Sequence, residues 1–464
     1  MDGAKMGGTA KVTEYDDSRP MQHFVCVGIF YSPQRCKYMK EGSTMLTQAP
    51  RGTKDVLPTD SYRWQHVEAH MRKAAAEAGF REVRTPVFEH TELFLRGVGD
   101  TTDIVQKEMY TFKDKGDRSI TLKPEGTAGA VRAFLESSLY ADALPCKMYY
   151  LNAPIFRYEA PQNGRLREHH QFGLECFGAK EPTADAELIL LAYKLLGTLG
   201  VKNLSVNINS IGCPNCRPKY HTMLKSFLGE RISCMCDTCK TRFDRNPLRV
   251  LDCKVEKCQE LVADAPSMLD VLCDECAEHF AQLQECLKAS GIPYQVDSRI
   301  VRGLDYYTKT VFELITTTDK GNLTVCGGGR YDNLVEQLGG PSMPAVGFGM
   351  GIERVLMLLD SEGVEIPKPD QYDVFVTYMG ANKIPAFMLV QQLRQAGVNA
   401  DMDHTGRSLK AQFKYANKTG APLCITLGDD EVAGGIVKIK NMNTREERTA
   451  PMAEAAATVR EMLG

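Results

Sequence analysis

The stretch "KMYYLNAPIFRYEAPQNGRLREHHQFGLECFGA" (147–179) reads as strand, loop, strand. Its middle, "APQNGRLREHH", holds turn residues and two arginines, and such a segment belongs at a surface, exposed and mobile. Working back from it, "SITLKPEGTAGAVRAFLES" (119–137) is a strand, a Pro-Glu-Gly turn and a helix that starts near Thr127. "FREVRTPVFEH" (80–90) alternates as a strand, with Pro86 near an end that suits an edge or an interface. Before it, "YRWQHVEAHMRKAAAEAG" is a helix capped by Asp60 or Ser61 and stopped by Gly79.

Working forward, "VNINSIG" (206–212) leads into a cysteine-rich region that runs to about residue 290 and reads as an insertion. Then come "VRGLDYYTKTVFEL" (301–314), "LTVCGGGRYDNLVEQLGG" (323–340) and "PAVGFGMGIERVLMLL" (344–359), the last a glycine-rich strand passing into a helix. From "YDVFVTYMG" (372–380) strands alternate with helical segments, the signature of a separate α/β module.

A chain of 464 residues has room for two or three domains, and 43% apolar with 25% charged residues is ordinary for a soluble globular protein. A net charge of -3 gives no global basic field, so any nucleic-acid contact must rest on local patches. Ten of the sixteen cysteines lie between Cys213 and Cys286. In a large chain without a secretory signal they read as reduced, cytoplasmic thiols. No run approaches the ~20 apolar residues that cross a bilayer, so no membrane partner is expected. Residues 1–44 carry scattered charges and no period. They read as a disordered or artificially added leader, a targeting peptide being the lesser alternative.

No GxxxxGK[ST] loop is present and no GxGxxG follows a strand, so any use of a nucleotide must depend on arginines. Three segments supply them: "FRYE" with Arg157, "RGLDYY" with Arg302 and "GIER" with Arg354. For Arg302 two readings compete, a surface pair with Asp305 and a pocket wall carrying a fixed cation beside two phenol hydroxyls. In the strand reading Tyr306, Thr308, Thr310 and Phe312 share one face, and Tyr307, Lys309 and Val311 the other.

Five blocks in order resemble the histidyl-tRNA synthetases, of the class II aminoacyl-tRNA synthetases, from about residue 48 to the C-terminus. The segment around Pro86 resembles their first class motif, which builds a dimer interface. "FRYEAPQNGRLREHHQFGLECFG" resembles the second and "AVGFGMGIERVLM" the third, while "VRGLDYYTKTVFE" and "GGGRYDNL" resemble blocks particular to the histidine enzyme.

The resemblance implies an α+β fold: an antiparallel-sheet catalytic domain over 45–212 and 291–365, an inserted module over 213–290, and a C-terminal α/β anticodon-binding domain over 371–464. It implies a cytoplasmic homodimer that activates L-histidine with ATP and Mg2+ and charges tRNA(His). A synthetase-like regulatory subunit without ligase activity is the alternative. By resemblance Arg157 and Arg302 are catalytic, and Arg157, Glu159, Arg165 and Arg354 bind ATP. Glu125, Gly126, Thr127, Gln171, Glu175, Tyr306, Tyr307, Gly327 and Gly328 surround histidine. That assignment makes chemical sense, since a carboxylate attacking the α-phosphorus of ATP needs fixed cations. A neutral imidazole also needs an acceptor paired with a donor, here Glu175 and the Tyr307 hydroxyl. Glycines 327–329 would let a ligand approach the backbone closely.

Departures fall at Ala160, where arginine is common in the family, at His169, where a large aromatic is, and at Lys123, where arginine is. They bear on tRNA contacts more than on ATP. Paired CxxC units leave two readings of the insertion open, a structural zinc on Cys213, Cys216, Cys236 and Cys239, or buried thiols packed as small hydrophobes.

Overall fold

Successive residues of the segment 168–177 face opposite surroundings, and this period of two organises the whole molecule around it. The computed structural model describes residues 47–99, 102–159, 161, 166–253, 255–318 and 321–464. Residues Pro50–Gly464 make up one compact unit. The expected leader lies outside the described residues, as do Ala160 and Arg165.

In chain order the described strands are β1 (Arg81–Glu82), β2 (Phe88–His90), β3 (Thr111–Lys113), β4 (Ser119–Leu122), β5 (Cys146–Phe156), β6 (Glu168–Phe177), β7 (Leu204–Ser210) and β8 (Tyr294–Val296). They continue with β9 (Thr308–Thr318), β10 (Gly321–Arg330), β11 (Ala345–Gly351), β12 (Val374–Tyr378), β13 (Ala400–Met402), β14 (Leu423–Leu427), β15 (Ile436–Asn441) and β16 (Glu447–Pro451). Eight of them form one sheet, β1-β5-β6-β11-β10-β9-β7-β8, antiparallel except at its two edge pairs.

Phe172, Leu174 and Cys176 of β6, Phe312 and Leu314 of β9, and Val346, Phe348 and Met350 of β11 enter the main core. Helices Ser61–Glu77, Pro182–Thr198 and Ile352–Ser361 cover that face. The residues between them, Gln171, Gly173, Glu175, Gly347 and Gly349, turn to the opposite face. A slip of one residue would move Phe172 and Leu174 out of the core and drive Glu175 into it. Each buried side chain of that size contributes about 1.5–3 kcal/mol, so the register is firmly set.

Three expectations of local structure are corrected. The single strand over 80–90 is two: β1 pairs with β5, and β2 joins β4 and β3 in a separate three-stranded sheet. Pro86, which has no N–H to give to a ladder, lies in the passage between them. The segment 166–170, expected in the loop, already contributes Glu168, His169 and His170 to β6. The strand after Arg302 starts only at Thr308, so Tyr306 and Tyr307 precede it and are freed from its alternation.

The insertion has its own core, in which Tyr220, Leu224, Leu228, Val250 and Val271 surround the cysteines. Helix Asp274–Ala289 begins there with Cys276 and ends in the main core through Phe280, Leu283 and Leu287. The insertion's own packing therefore stops short of residue 290. The expected C-terminal module is a five-stranded mixed sheet, β13-β12-β14-β15-β16, with helices closing a core around Val374, Val376, Leu389, Leu393, Ile425 and Val459.

Candidate active site

Glu175 is 0% exposed, and a carboxylate with no access to water needs partners of its own. Thr127 Oγ1 donates to its Oε1 at 2.8 Å and the Tyr150 hydroxyl to the same oxygen at 3.3 Å, while the Tyr331 hydroxyl donates to Oε2. Room for this cage comes from glycines on the same face. A Cβ on Gly347, the residue opposite Glu175 on β11, would stand 1.9 Å from Glu175 Oε2, and one on Gly173 would stand 2.1 Å from the Tyr150 ring. Burial outweighs the three donors and pushes the Glu175 carboxyl up to about 8.

Beside it, Glu125 accepts from the amides of Thr127 and Ala128 at 2.8 and 2.7 Å, and from the Tyr306 hydroxyl at 3.4 Å. Glu125 thus caps the helix Thr127–Glu136 and also faces the tyrosines. Burial raises its carboxyl as well.

The segment between Ile300 and Thr308 forms the adjoining wall. Tyr306 and Tyr307 are both buried, their ring centres 4.8 Å apart. Arg302 is not the surface partner of Asp305; its guanidinium pairs with Glu313 of β9, and Asp305 accepts from Asn246 instead. Arg302 has φ +47°, a left-handed backbone that L residues avoid, and its carbonyl is held by Arg249 Nη1 at 2.6 Å. Its Nε has no hydrogen-bond partner among the described residues.

Arg157, Arg302 and Arg354 all line one cleft of about 970 Å³, together with Glu159, Gln171 and Gly327. Arg157 Nε donates to the carbonyl of Pro124 at 2.8 Å and Arg354 Nη1 to that of Thr324 at 2.6 Å, so both guanidinium groups are anchored to backbone. Between them stands His169, half-buried; desolvation and then the two arginines depress its ring to about 3. It joins the wall as a neutral ring at physiological pH, which fits a position the family fills with an aromatic.

The model of the histidyl-tRNA synthetase family matches residues 52–214 and 245–355, and that of the anticodon binding domain matches 373–462. The chain is 58% identical over 404 residues to the histidine–tRNA ligase of Caldanaerobacter subterraneus subsp. tengcongensis, covering 87% of this chain and 97% of that protein. The enzyme of the same name from Clostridium perfringens is 56% identical, covering 87% and 96%. The crystal structure of apo S. aureus histidyl-tRNA synthetase superposes with a TM-score of 0.77 at 37% identity, covering 89% of this chain and all of that one. The chain belongs to the histidyl-tRNA synthetase family.

Within that synthetase frame, the site residues expected from the sequence divide into three groups. Glu125, Thr127, Glu175, Tyr306 and Tyr307 lie in or against the closed cage, and Arg157, Glu159, Gln171, Arg302, Gly327 and Arg354 line the cleft. Arg165 lies outside the described residues.

The third group is the glycines Gly126, Gly327 and Gly328, which have a use besides the one expected and are joined in it by others. Gly173, Gly349 and Gly327 stand side by side across β6, β11 and β10, and a Cβ on each would strike Tyr150, Gln171 and Arg302 respectively. They clear space for the site's own side chains. Gly328 faces the other way, where a Cβ would meet Phe348 and Phe312 of the core, and a Cβ on Gly126 would meet the Tyr150 ring at 2.4 Å.

Tyr150, Tyr331 and Glu108 were missed. Tyr150 and Tyr331 carry no motif spacing relative to Glu175. Glu108 ends a π-helical turn, Ile104–Glu108, in the cleft wall, where burial raises its carboxyl to about 6. Lys123 Nζ reaches Thr85 Oγ1 at 3.4 Å, and burial lowers its basicity.

Proposed function

We propose that the chain is a histidine–tRNA ligase that joins L-histidine to ATP as histidyl-adenylate and passes the histidyl group to tRNA(His). The observation that carries the reading is that three anchored arginines line one cleft beside a buried, hydroxyl-caged Glu175. Glu175 is the acceptor for an imidazole N–H, Glu125 and Gln171 face the ammonium, and Tyr306 and Tyr307 close the pocket. Arg157 and Arg302 flank the α-phosphate, where charge grows in the pentavalent transition state, and Arg354 takes the triphosphate end. A site that leaves its polar groups unpaired around the wrong amino acid rejects it strongly.

ATP enters as its Mg2+ salt. Any zinc held by the insertion serves structure, because the adenylate chemistry does not need it. The module over 371–464 is the anticodon reader, and the three-stranded sheet supplies a homodimer face through Val87, Phe88 and Phe112, which are 41, 55 and 48% exposed. Among the described residues no helix is long and apolar enough to cross a membrane. Cytoplasm, where thiols stay reduced and tRNA is charged for translation, is the fitting location. A regulatory subunit of this fold has no need of the complete arginine set or of the anticodon module, and this chain has both. Histidine-dependent exchange of pyrophosphate into ATP, followed by charging of tRNA(His), tests the reading. Exchange with no other amino acid is expected, and its absence with histidine would overturn it.

A further inference from the structure

Eight cysteines of the insertion fall into two groups of four, Cys213, Cys216, Cys273 and Cys276, and Cys236, Cys239, Cys253 and Cys258. Within each group the four sulfurs lie within 4.8 Å of one another. The pairing differs from the expected one: Cys213 and Cys216 meet the CxxC at 273–276, and Cys236 and Cys239 meet Cys253 and Cys258.

Separations of 3.7 Å for Cys213–Cys216, 3.8 Å for Cys213–Cys273 and 3.8 Å for Cys236–Cys253 are far too long for disulfides, which need about 2.0 Å. They match the edge of a tetrahedron of sulfurs around zinc, about 3.8 Å for a Zn–S bond of about 2.3 Å. Simple contact can bring two thiols this close, but not four around a common centre, twice in one small module. Backbone amides point at the sulfurs as well: Cys273 N donates to Cys216 Sγ at 3.2 Å and Cys236 N to Cys258 Sγ at 3.3 Å, bonds that stabilise a thiolate. A module of this size, with cysteines occupying the centre of its core, also needs a staple.

Each group carries an arginine that reaches out of the insertion. Arg217, next to Cys216, donates to the carbonyl of Tyr307, and Arg249, four residues before Cys253, donates to the carbonyl of Arg302. The two ends of the site wall are thus held from the two cysteine centres. We propose that the insertion binds two structural zinc ions, one in each four-cysteine site, and that the ions fix the arginines that hold the Arg302–Tyr307 wall in place. Binding releases the thiol protons of each site to solvent and changes no oxidation state. The second half rests on the ligase reading above; the first does not.

Elemental analysis of the purified full-length chain should find two zinc ions per chain, and Cys213→Ser and Cys253→Ser should each lose one. Cobalt titrated into the zinc-stripped wild type should give the visible bands of tetrahedral thiolate coordination, saturating at two per chain, a count that needs no variant to fold. Fewer than two metals, by either method, in a chain whose insertion resists proteolysis would overturn the two sites. In pyrophosphate exchange, stripping zinc should raise the histidine KM severalfold, and returning it should restore the value; an unchanged KM would overturn the buttress. Two zinc ions in a chain with no exchange at all would uphold the sites while removing both the ligase reading and the buttress.

Discussion

A carboxyl that keeps its proton to about 8, as burial makes Glu175 do, is linked to folding. Unfolded, it would release that proton near 4.5. Between those two values the folded chain holds one proton more than the unfolded chain, so this group's contribution to stability falls as pH rises. Glu175→Gln should flatten that fall in urea titrations taken at steps from pH 5 to pH 8, and should weaken histidine binding because an amide NH2 replaces one of the two oxygens that accept from Thr127, Tyr150 and Tyr331. Arg302→Ala should slow single-turnover adenylate formation by about 10²–10³-fold while moving the histidine KM much less. It also leaves the Glu313 carboxylate without its cation, with only the Thr324 hydroxyl as donor among the described residues, so adding Glu313→Gln should recover thermal stability without recovering the rate. Arg302 and Glu175 were legible because each sits in a block whose neighbours make sense only around a ligand. Tyr331 was not, since its hydroxyl reaches Glu175 across 156 positions of sequence, and no local spacing carries that distance.

The strands could be read where their period of two was clean, as over 171–176 of β6 and 346–351 of β11, whose even residues are apolar and whose odd ones are polar or glycine. The reading failed where the backbone departs from that period, at the passage through Pro86 and at the turn that precedes β9. CxxC pairs are visible in the sequence, yet which pair meets which is decided by packing over some 60 positions, as for Cys213 and Cys273. At this scale the three-stranded sheet makes its own prediction. Phe88 and Phe112 are large, apolar and exposed, and putting a charge on such a face costs a dimer far more than a monomer. Phe88→Asp together with Phe112→Asp should convert the proposed dimer to a monomer in light scattering, with the far-ultraviolet circular dichroism unchanged.

The C-terminal sheet packs its own core and contributes no residue to the cleft, so the proposed function separates chemistry from tRNA recognition along the chain. A chain cut near Pro369 should keep most of its pyrophosphate exchange and lose most of its charging of tRNA(His). Equal losses in a truncated dimer would count against that separation. The order of the main sheet has a consequence of another kind, in time. Its central seam joins β6 to β11, so the free edge of β6 cannot be covered until residue 351 has been made. At about 5–20 residues per second, a ribosome spends roughly 10–30 s on the chain between those strands. For that interval β6 is an open template for stray pairing, while the cysteine module, whose residues all emerge within it, is free to fold first. A nascent chain stalled far enough past Ala289 for that residue to have left the ribosome should therefore already be able to take up metal, and be most in need of a chaperone, before any histidine site exists.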